Sequence, residues 1–316
     1  MSFSGKVAII GAGYVGSSIA YTLVVSRIAR EIVLIEQASQ IDKCRAEVLD
    51  IRHGIPFMGS GSVYCGDYSD IKGCELIIIT AGRNRRPNET RLELAKDNIE
   101  ITDTVIAEMQ KSYDGGVVLV VANPVDILTR RVTEQMNLRK GLVFGTGCIL
   151  DCSRLTNILA EYASLSAESI NSSIIGEHGE SQIVLWSKTF VGGIAANVYF
   201  KTTNVVFNDK VKNEMEQRIV KMGTEIISGK GRTHYGIAIC VAYLANSILN
   251  RHSTVSNVSS VLYGEYGINN VALSLPSVIT ANGVEQRLVD DLAKNEINRL
   301  LQTADKLEKI HLSIKT

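Results

Sequence analysis

Short aliphatic runs alternate with longer amphipathic stretches through the first half of the chain. Val7–Ile10 is followed by Tyr14–Ser26, Ile32–Ile35 by Ile41–Ile51, Leu76–Thr80 by Thr90–Lys111, and Val117–Val121 by Val125–Met136. The short runs are continuous in Val, Ile and Leu, which is the pattern of strands buried on both faces. The longer stretches repeat apolar residues at helical spacing. The alternation predicts an α/β fold with a Rossmann-type, doubly wound parallel sheet. Leu142–Phe144 is expected to be its last strand, and Leu150–Ala160 a helix leading out of it.

The second half reads differently. Ile170–Ile175, Ile183–Trp186 and Asn257–Leu262 look like antiparallel strands, and Val211–Ser228 and Tyr235–Asn250 have helical spacing. Asn282-Gly283 between Ser277–Thr280 and Val284–Asp290 is a hairpin signal. Ile297, Leu300, Leu301, Ala304, Leu307 and Ile310 fall on one face of a terminal helix. The division is therefore residues 1–146, the parallel-sheet domain, and residues 147–316, an α+β domain with antiparallel strands. No Pro/Gly/Ser linker separates the two, so they are expected to pack closely.

Composition narrows the function. With 316 residues and 45% hydrophobic content, the chain can bury a sizeable core. Its 33 Lys and Arg balance 33 Asp and Glu, which gives no pull toward nucleic acid or an anionic membrane. The six cysteines form no C-x-x-C pair and no export signal precedes Lys6–Ile10, so a soluble, reduced, cytosolic protein is expected. No histidine and cysteine cluster has metal-ligand spacing, and no metal is expected.

Gly11-Ala12-Gly13-Tyr14-Val15-Gly16 follows the first predicted strand and opens the first helix, with Glu36 ending the next strand 20 residues beyond Gly16. In that context the glycines signal a dinucleotide site: Gly11 for the turn, Gly13 for approach of the pyrophosphate, Gly16 for packing of helix on strand. Glu36 suits ribose hydroxyls and would repel a 2′-phosphate, so NAD is favoured over NADP; a solvated strand-end carboxylate is the plainer alternative. Thr80-Ala81-Gly82 and Asn123-Pro124 end later strands and are candidates to line the nicotinamide half.

Reduction of a carbonyl by hydride needs a proton donor and an anchor for the substrate. Of five histidines, His178 stands out because it follows a predicted strand inside Gly176-Glu177-His178-Gly179. Asp151 and Arg154, three apart on one predicted helix, could be only a surface ion pair.

The chain resembles the L-lactate/malate dehydrogenase family over essentially its whole length. The matching pieces are Gly11 to Gly16, Leu49 to Phe57, Pro87 to Leu92, Asn123-Pro124-Val125-Asp126, Leu150 to Arg154, Gly176 to Gly179 with Trp186-Ser187, and Gly229 to Thr233. The resemblance implies an NAD-dependent L-2-hydroxyacid dehydrogenase, closest to bacterial L-lactate dehydrogenase, reducing pyruvate in glycolytic fermentation. It implies His178 as proton donor and acceptor, with Asp151 holding its imidazole. Arg154 would grip the substrate carboxylate, and Arg91 would polarise the carbonyl from a closing loop. Asn123 would contact substrate or catalytic groups, Thr233 would line the substrate pocket and Ile237 the nicotinamide. It also implies a homo-oligomer, a tetramer over a dimer, with first-domain helices in contact.

Two departures from the pattern bear on specificity. Arg85 stands where lactate-specific members carry glutamine, and an arginine there is typical of malate enzymes, so oxaloacetate is the alternative substrate. The plainer alternative is that Arg85 points to solvent, as do Arg83 and Arg86. Thr156 and Asn171 occupy positions where allosteric members place an arginine and a histidine for fructose 1,6-bisphosphate, so no activation by that ligand is expected. A non-catalytic nucleotide-binding protein on the same fold is the distant alternative.

Overall fold

The computed structural model describes residues 4–58, 61–83, 89 and 91–315, with Ser4, Arg91, Leu92 and Lys315 described by their backbone. The chain begins with β1 (Ser4–Ile10), α1 (Tyr14–Val25), β2 (Ala29–Ile35), α2 (Ile41–Gly54), β3 (Ser62–Gly66) and β4 (Leu76–Ile79). It continues with α3 (Arg91–Gln110), β5 (Val117–Val120), α4 (Val125–Met136), β6 (Val143–Gly145) and α5 (Ile149–Ala163). Five two-residue strands follow: β7 (Ile170–Asn171), β8 (Ile174–Ile175), β9 (Ile183–Val184), β10 (Phe190–Val191) and β11 (Ile194–Ala195). The remaining elements are α6 (Ala196–Thr202), α7 (Asp209–Lys230), α8 (Tyr235–Leu249), β12 (Thr254–Tyr263), β13 (Asn269–Thr280), β14 (Gly283–Arg287) and α9 (Lys294–Lys315). Among the described residues no helix is long and apolar enough to cross a membrane.

One nine-stranded sheet organises the described residues, in the order β14-β13-β12-β6-β5-β4-β1-β2-β3. Strands β1 to β6 are parallel, and β12 to β14 extend the same sheet antiparallel through Ser259 opposite Gly145. The continuous apolar runs are explained by burial from both sides. Ala8, Ile10, Ile77, Ile79, Val118 and Val120 share one core with Leu128 of α4 and Leu300 of α9. Their strand neighbours Val7, Ile9, Leu76, Ile78, Val117 and Leu119 share the other with Ile19 of α1 and Val241 of α8. A third core joins Leu155 of α5, Ile219 of α7, Phe200 and Val184.

Asn257–Leu262 is antiparallel as read, within β12, which joins the large sheet. Three details differ from the sequence reading. Ile170–Ile175 is not one strand: β7 pairs with β10, whereas β8 pairs with β9. The hairpin turn is Ala281-Asn282, with Gly283 already paired to Thr280. Leu301 is exposed because it lies about 100° around α9 from the buried Leu300. The sequence reading also missed β3, whose run Ser62-Val63-Tyr64-Cys65-Gly66 lacks an aliphatic block because it is the sheet's edge.

Candidate active site

The glycine turn between β1 and α1 is built for close approach. Gly11 has φ of +102°, and a Cβ on it would lie 2.8 Å from the Ala81 backbone nitrogen. A Cβ on Gly16 would collide with the Gly11 carbonyl oxygen. Gly13 differs: a Cβ there would meet no atom of the chain within 4 Å. The space over Gly13 is a cradle that a side chain would fill, at the N-terminus of α1, where unpaired N–H groups favour an anion. A pyrophosphate fits that cradle.

Glu36 follows β2 directly, beside this turn. Its Oε2 accepts from the Ala12 N–H at 2.8 Å and its Oε1 from the Gln37 N–H at 2.9 Å, which fixes the carboxylate at the rim of the cradle. The Thr80 hydroxyl donates to the Gly11 carbonyl at 2.8 Å and contacts that of Ile10, bracing the turn from below. Val15 packs against the core under α1. Tyr14 is exposed, and the Arg232 guanidinium stacks 3.5 Å from its ring centre. Ala81 is half-buried and Gly82 exposed at the C-terminal edge of β4. The exposed Asn123 turns its Oδ1 to the Val125 N–H at 3.2 Å, and its carbonyl accepts from Asn98 at 2.7 Å.

The second group of residues comes from the other half of the chain. Asp151 and Arg154 occupy the first turns of α5, and His178 lies on the turn that follows β8. His178 Nδ1 is 2.5 Å from Asp151 Oδ2, and Arg154 Nη1 donates to Asp151 Oδ1 at 2.9 Å. Asp151 is almost fully buried, whereas the His178 side chain keeps 25% of its exposure, so the ring is held from behind and open in front. Burial alone would push the Asp151 carboxyl up; the His178 imidazole and the Arg154 guanidinium outweigh it and hold it below the usual carboxylate range. The Asp151 carboxylate in turn raises the His178 pKa against the opposing effect of burial. Arg154 lines a cleft of about 600 Å³ together with Thr233 and Ile237.

The His178 turn is fastened on three sides. Gly176 exchanges backbone hydrogen bonds of 2.9 Å with Ser274 of β13. The His178 N–H donates to Asp126 Oδ2 at 2.8 Å, and the Ser259 hydroxyl donates to Asp126 Oδ1 at 2.6 Å. Glu177 is buried and pairs with Lys306 of α9 at 2.9 Å. Burial pushes the Asp126 carboxyl up to about 6, against the lowering effect of those two hydrogen bonds. Sequence reasoning quoted Asp126 and Glu177 within motifs without giving either a role. For Asp126 the available signal was a carboxylate in the first turn of a helix lined with apolar residues.

Arg85 and the Arg91 side chain lie outside the described residues, as does Arg86. Arg83, for which a solvent-facing position was the plainer alternative, donates from Nε to Asp97 at 2.7 Å and pairs with Glu89. Two carboxylates beside one guanidinium account for the difference. Among the described residues no group of three His, Cys, Asp or Glu could hold a metal ion.

Comparison with known proteins gives a consistent set of matches. Residues 5–145 match the model of the lactate/malate dehydrogenase NAD binding domain, and residues 148–315 that of the lactate/malate dehydrogenase alpha/beta C-terminal domain. The L-lactate dehydrogenase of Thermoanaerobacterium saccharolyticum is 40% identical over 95% of this chain and 96% of its own length. That of Staphylococcus epidermidis is 38% identical over 99% and 98%. Among solved structures, a lactate dehydrogenase from a Medee basin deep-sea metagenome library superposes with a TM-score of 0.94 at 31% identity over all of both chains. The minor L-lactate dehydrogenase from Enterococcus mundtii, in a ligand-bound form, gives 0.93 at 33% identity over 98% of each.

Proposed function

The chain belongs to the lactate/malate dehydrogenase family, and on that premise we propose that it interconverts pyruvate and L-lactate with NAD as coenzyme. The observation that carries this is the run His178–Asp151–Arg154, in which one buried carboxylate holds both a proton donor and a cation beside the cleft. The relatives compared are named L-lactate dehydrogenases, which favours pyruvate over oxaloacetate.

The bound coenzyme supplies the hydride for the substrate carbonyl carbon and takes it back in the reverse direction. With Nδ1 engaged by Asp151, His178 presents Nε2 to the substrate and gives its proton to the carbonyl oxygen as charge develops there. Asp151 keeps the imidazolium populated and its ring oriented. Arg154 pairs with the substrate carboxylate, for which a planar guanidinium is suited. Thr233 bounds the pocket on the substrate side and Ile237 toward the nicotinamide. Asn123 contacts the substrate, and Arg91 polarises the carbonyl. Gly11, Gly13 and Gly16 with the first turn of α1 hold the pyrophosphate, and Glu36 the adenosine ribose.

The division at residue 146 is proposed on functional grounds, because the glycine turn and Glu36 precede it and His178, Asp151 and Arg154 follow it. Self-association, as a homotetramer, is proposed through the outer faces of α1, α2 and α8. Tyr21, Leu49, Ile239 and Tyr243 are exposed there, with Phe57 just beyond α2 exposed at 87%, and apolar groups of that size at a surface mark contact sites. A reducing, cytosolic setting accords with six free thiols.

The deciding test is kcat/KM for pyruvate and for oxaloacetate with NADH, in the wild type and in Arg85→Gln. Pyruvate is expected to lead in both. Oxaloacetate leading in the wild type and trailing in the variant would make this a malate dehydrogenase whose distal carboxylate pairs with Arg85.

A further inference from the structure

Away from the catalytic cleft, two thiols meet close to Glu36. Cys44 of α2 is buried, Cys65 of β3 is half-buried, and their sulfurs are 2.6 Å apart. Alternation along the edge strand turns Val63 and Cys65 toward the core that contains Cys44. Cys65 pairs with Leu34 of β2, and the Leu34 carbonyl accepts from Cys44 Sγ at 3.7 Å. The next pair in that ladder, Ile35 with Gly66, leads directly to Glu36. Cys148 and Cys152 instead turn their sulfurs to the carbonyls of Gly176 and Ile174.

We propose that Cys44 and Cys65 are a modification site, joined by a reversible intramolecular disulfide that fastens α2 to the sheet edge beside Glu36, with a hydroperoxide as oxidant. Cys65 is the attacking group. Burial pushes the Cys44 thiol up, and contact with Cys65 and the charge of Glu36 add to that, so Cys44 is held as the thiol, whereas the half-buried Cys65 at the sheet edge is the sulfur that a peroxide can reach. The Cys65 sulfur attacks the terminal oxygen of the hydroperoxide and gives up its thiol proton, the O–O bond breaks, and the departing alkoxide or hydroxide takes up that proton. Cys65 is left as a sulfenic acid. The Cys44 sulfur then displaces hydroxide from Cys65, forming the S–S bond, and its proton leaves with the hydroxide as water. Two thiols lose two electrons in total, and the hydroperoxide is reduced to alcohol and water. The bond to be formed is about 2.05 Å long, so helix and strand already stand at the required approach.

The test is hydrogen peroxide treatment of the intact protein, followed by thiol counting under denaturing conditions, intact mass and a non-reducing peptide map. The expected result is a fall from six thiols to four, a mass loss of about 2 Da, a linked Cys44–Cys65 peptide, and recovery with dithiothreitol. In Cys44→Ala the link cannot form, and Cys65 should accumulate as a sulfenic acid trapped by dimedone. Cys65→Ala, at the sheet edge, serves where the core variant fails to fold, and should keep all five of its thiols. The proposal is overturned by six thiols after treatment, by a link elsewhere, or by wild type that accumulates oxygenated Cys65 to the same extent as Cys44→Ala.

Discussion

Asp151 divides its two oxygens between two functions, with Oδ2 2.5 Å from His178 Nδ1 and Oδ1 2.9 Å from Arg154 Nη1. Because the carboxylate raises the His178 pKa, the protonated donor that pyruvate reduction needs persists to higher pH. The kcat/KM for pyruvate should therefore hold on the acid side and fall as pH rises through that pKa. Asp151→Asn removes the charge, so its falling limb should move to lower pH and its rate at neutral pH should drop by about 100-fold or more. A pH–rate profile of the variant that superposes on wild type after scaling would exclude this coupling.

Arg154 acts on the same titration with the opposite sign, because its charge lowers the His178 pKa. In Arg154→Gln the falling limb should move to higher pH even as KM for pyruvate rises by about 100-fold from loss of the carboxylate partner. NADH affinity should stay within about twofold of wild type, since Arg154 faces the substrate cleft rather than the glycine turn. Parallel loss of NADH binding, measured by fluorescence titration, would assign Arg154 to the frame of the cleft.

Asp126 bears on both stability and catalysis through the His178 N–H. Its folded-state pKa of about 6 exceeds the ordinary 3.8, so the folded state holds this proton more tightly than the unfolded chain. Stability is thus lost as pH rises from about 4 to about 6, by a few kcal/mol at most. Asparagine can accept from the His178 N–H and donate to the Ser259 hydroxyl, so Asp126→Asn should gain in Tm relative to wild type between pH 4.5 and pH 7.5. Asp126→Ala leaves both donors unpaired and should lower Tm throughout, with kcat reduced by about tenfold. A Tm difference for Asp126→Asn that does not change with pH would show that the carboxyl is not the titrating group.

Strands buried on both faces have an unambiguous sequence signature, so β1, β2, β4 and β5 were legible, as was the glycine turn with Glu36. His178, Asp151 and Arg154 were legible as chemistry, but Asp151 and Arg154 alone did not distinguish a surface pair from a buried one. That difference lies in tertiary burial, which residue spacing does not encode. Strand β3 was missed because an edge strand needs only one apolar face, and Val63 with Cys65 is too short a pattern to register. The same limit hid Asp126, whose partners His178 and Ser259 are 52 and 133 residues away.

Glu36 should set coenzyme choice. Its carboxylate is anchored by the Ala12 and Gln37 N–H groups at the rim of the cradle over Gly13, where a 2′-phosphate would bring two negative charges against a third. Glu36→Gln keeps an acceptor and removes the charge. The ratio of kcat/KM with NADH to that with NADPH should fall by at least about tenfold, mostly through a better KM for NADPH. An unchanged ratio would mean that discrimination lies elsewhere along the groove.

Fructose 1,6-bisphosphate should leave this enzyme unchanged. A phosphate held at a protein surface needs fixed cations, and each arginine in such a site contributes through charge-assisted, often bidentate bonds. Thr156 instead shares a neutral 2.9 Å hydrogen bond with Ser172, and Asn171 is paired within β7 opposite Phe190. Neither carries charge, and Thr156 is already paired with Ser172. The KM for pyruvate should therefore be the same with and without millimolar sugar bisphosphate at pH 6 and at pH 7.5, because neither group titrates in that range. A severalfold fall in KM on addition would locate an anion site on other residues, and substituting Thr156 or Asn171 would then leave that response intact.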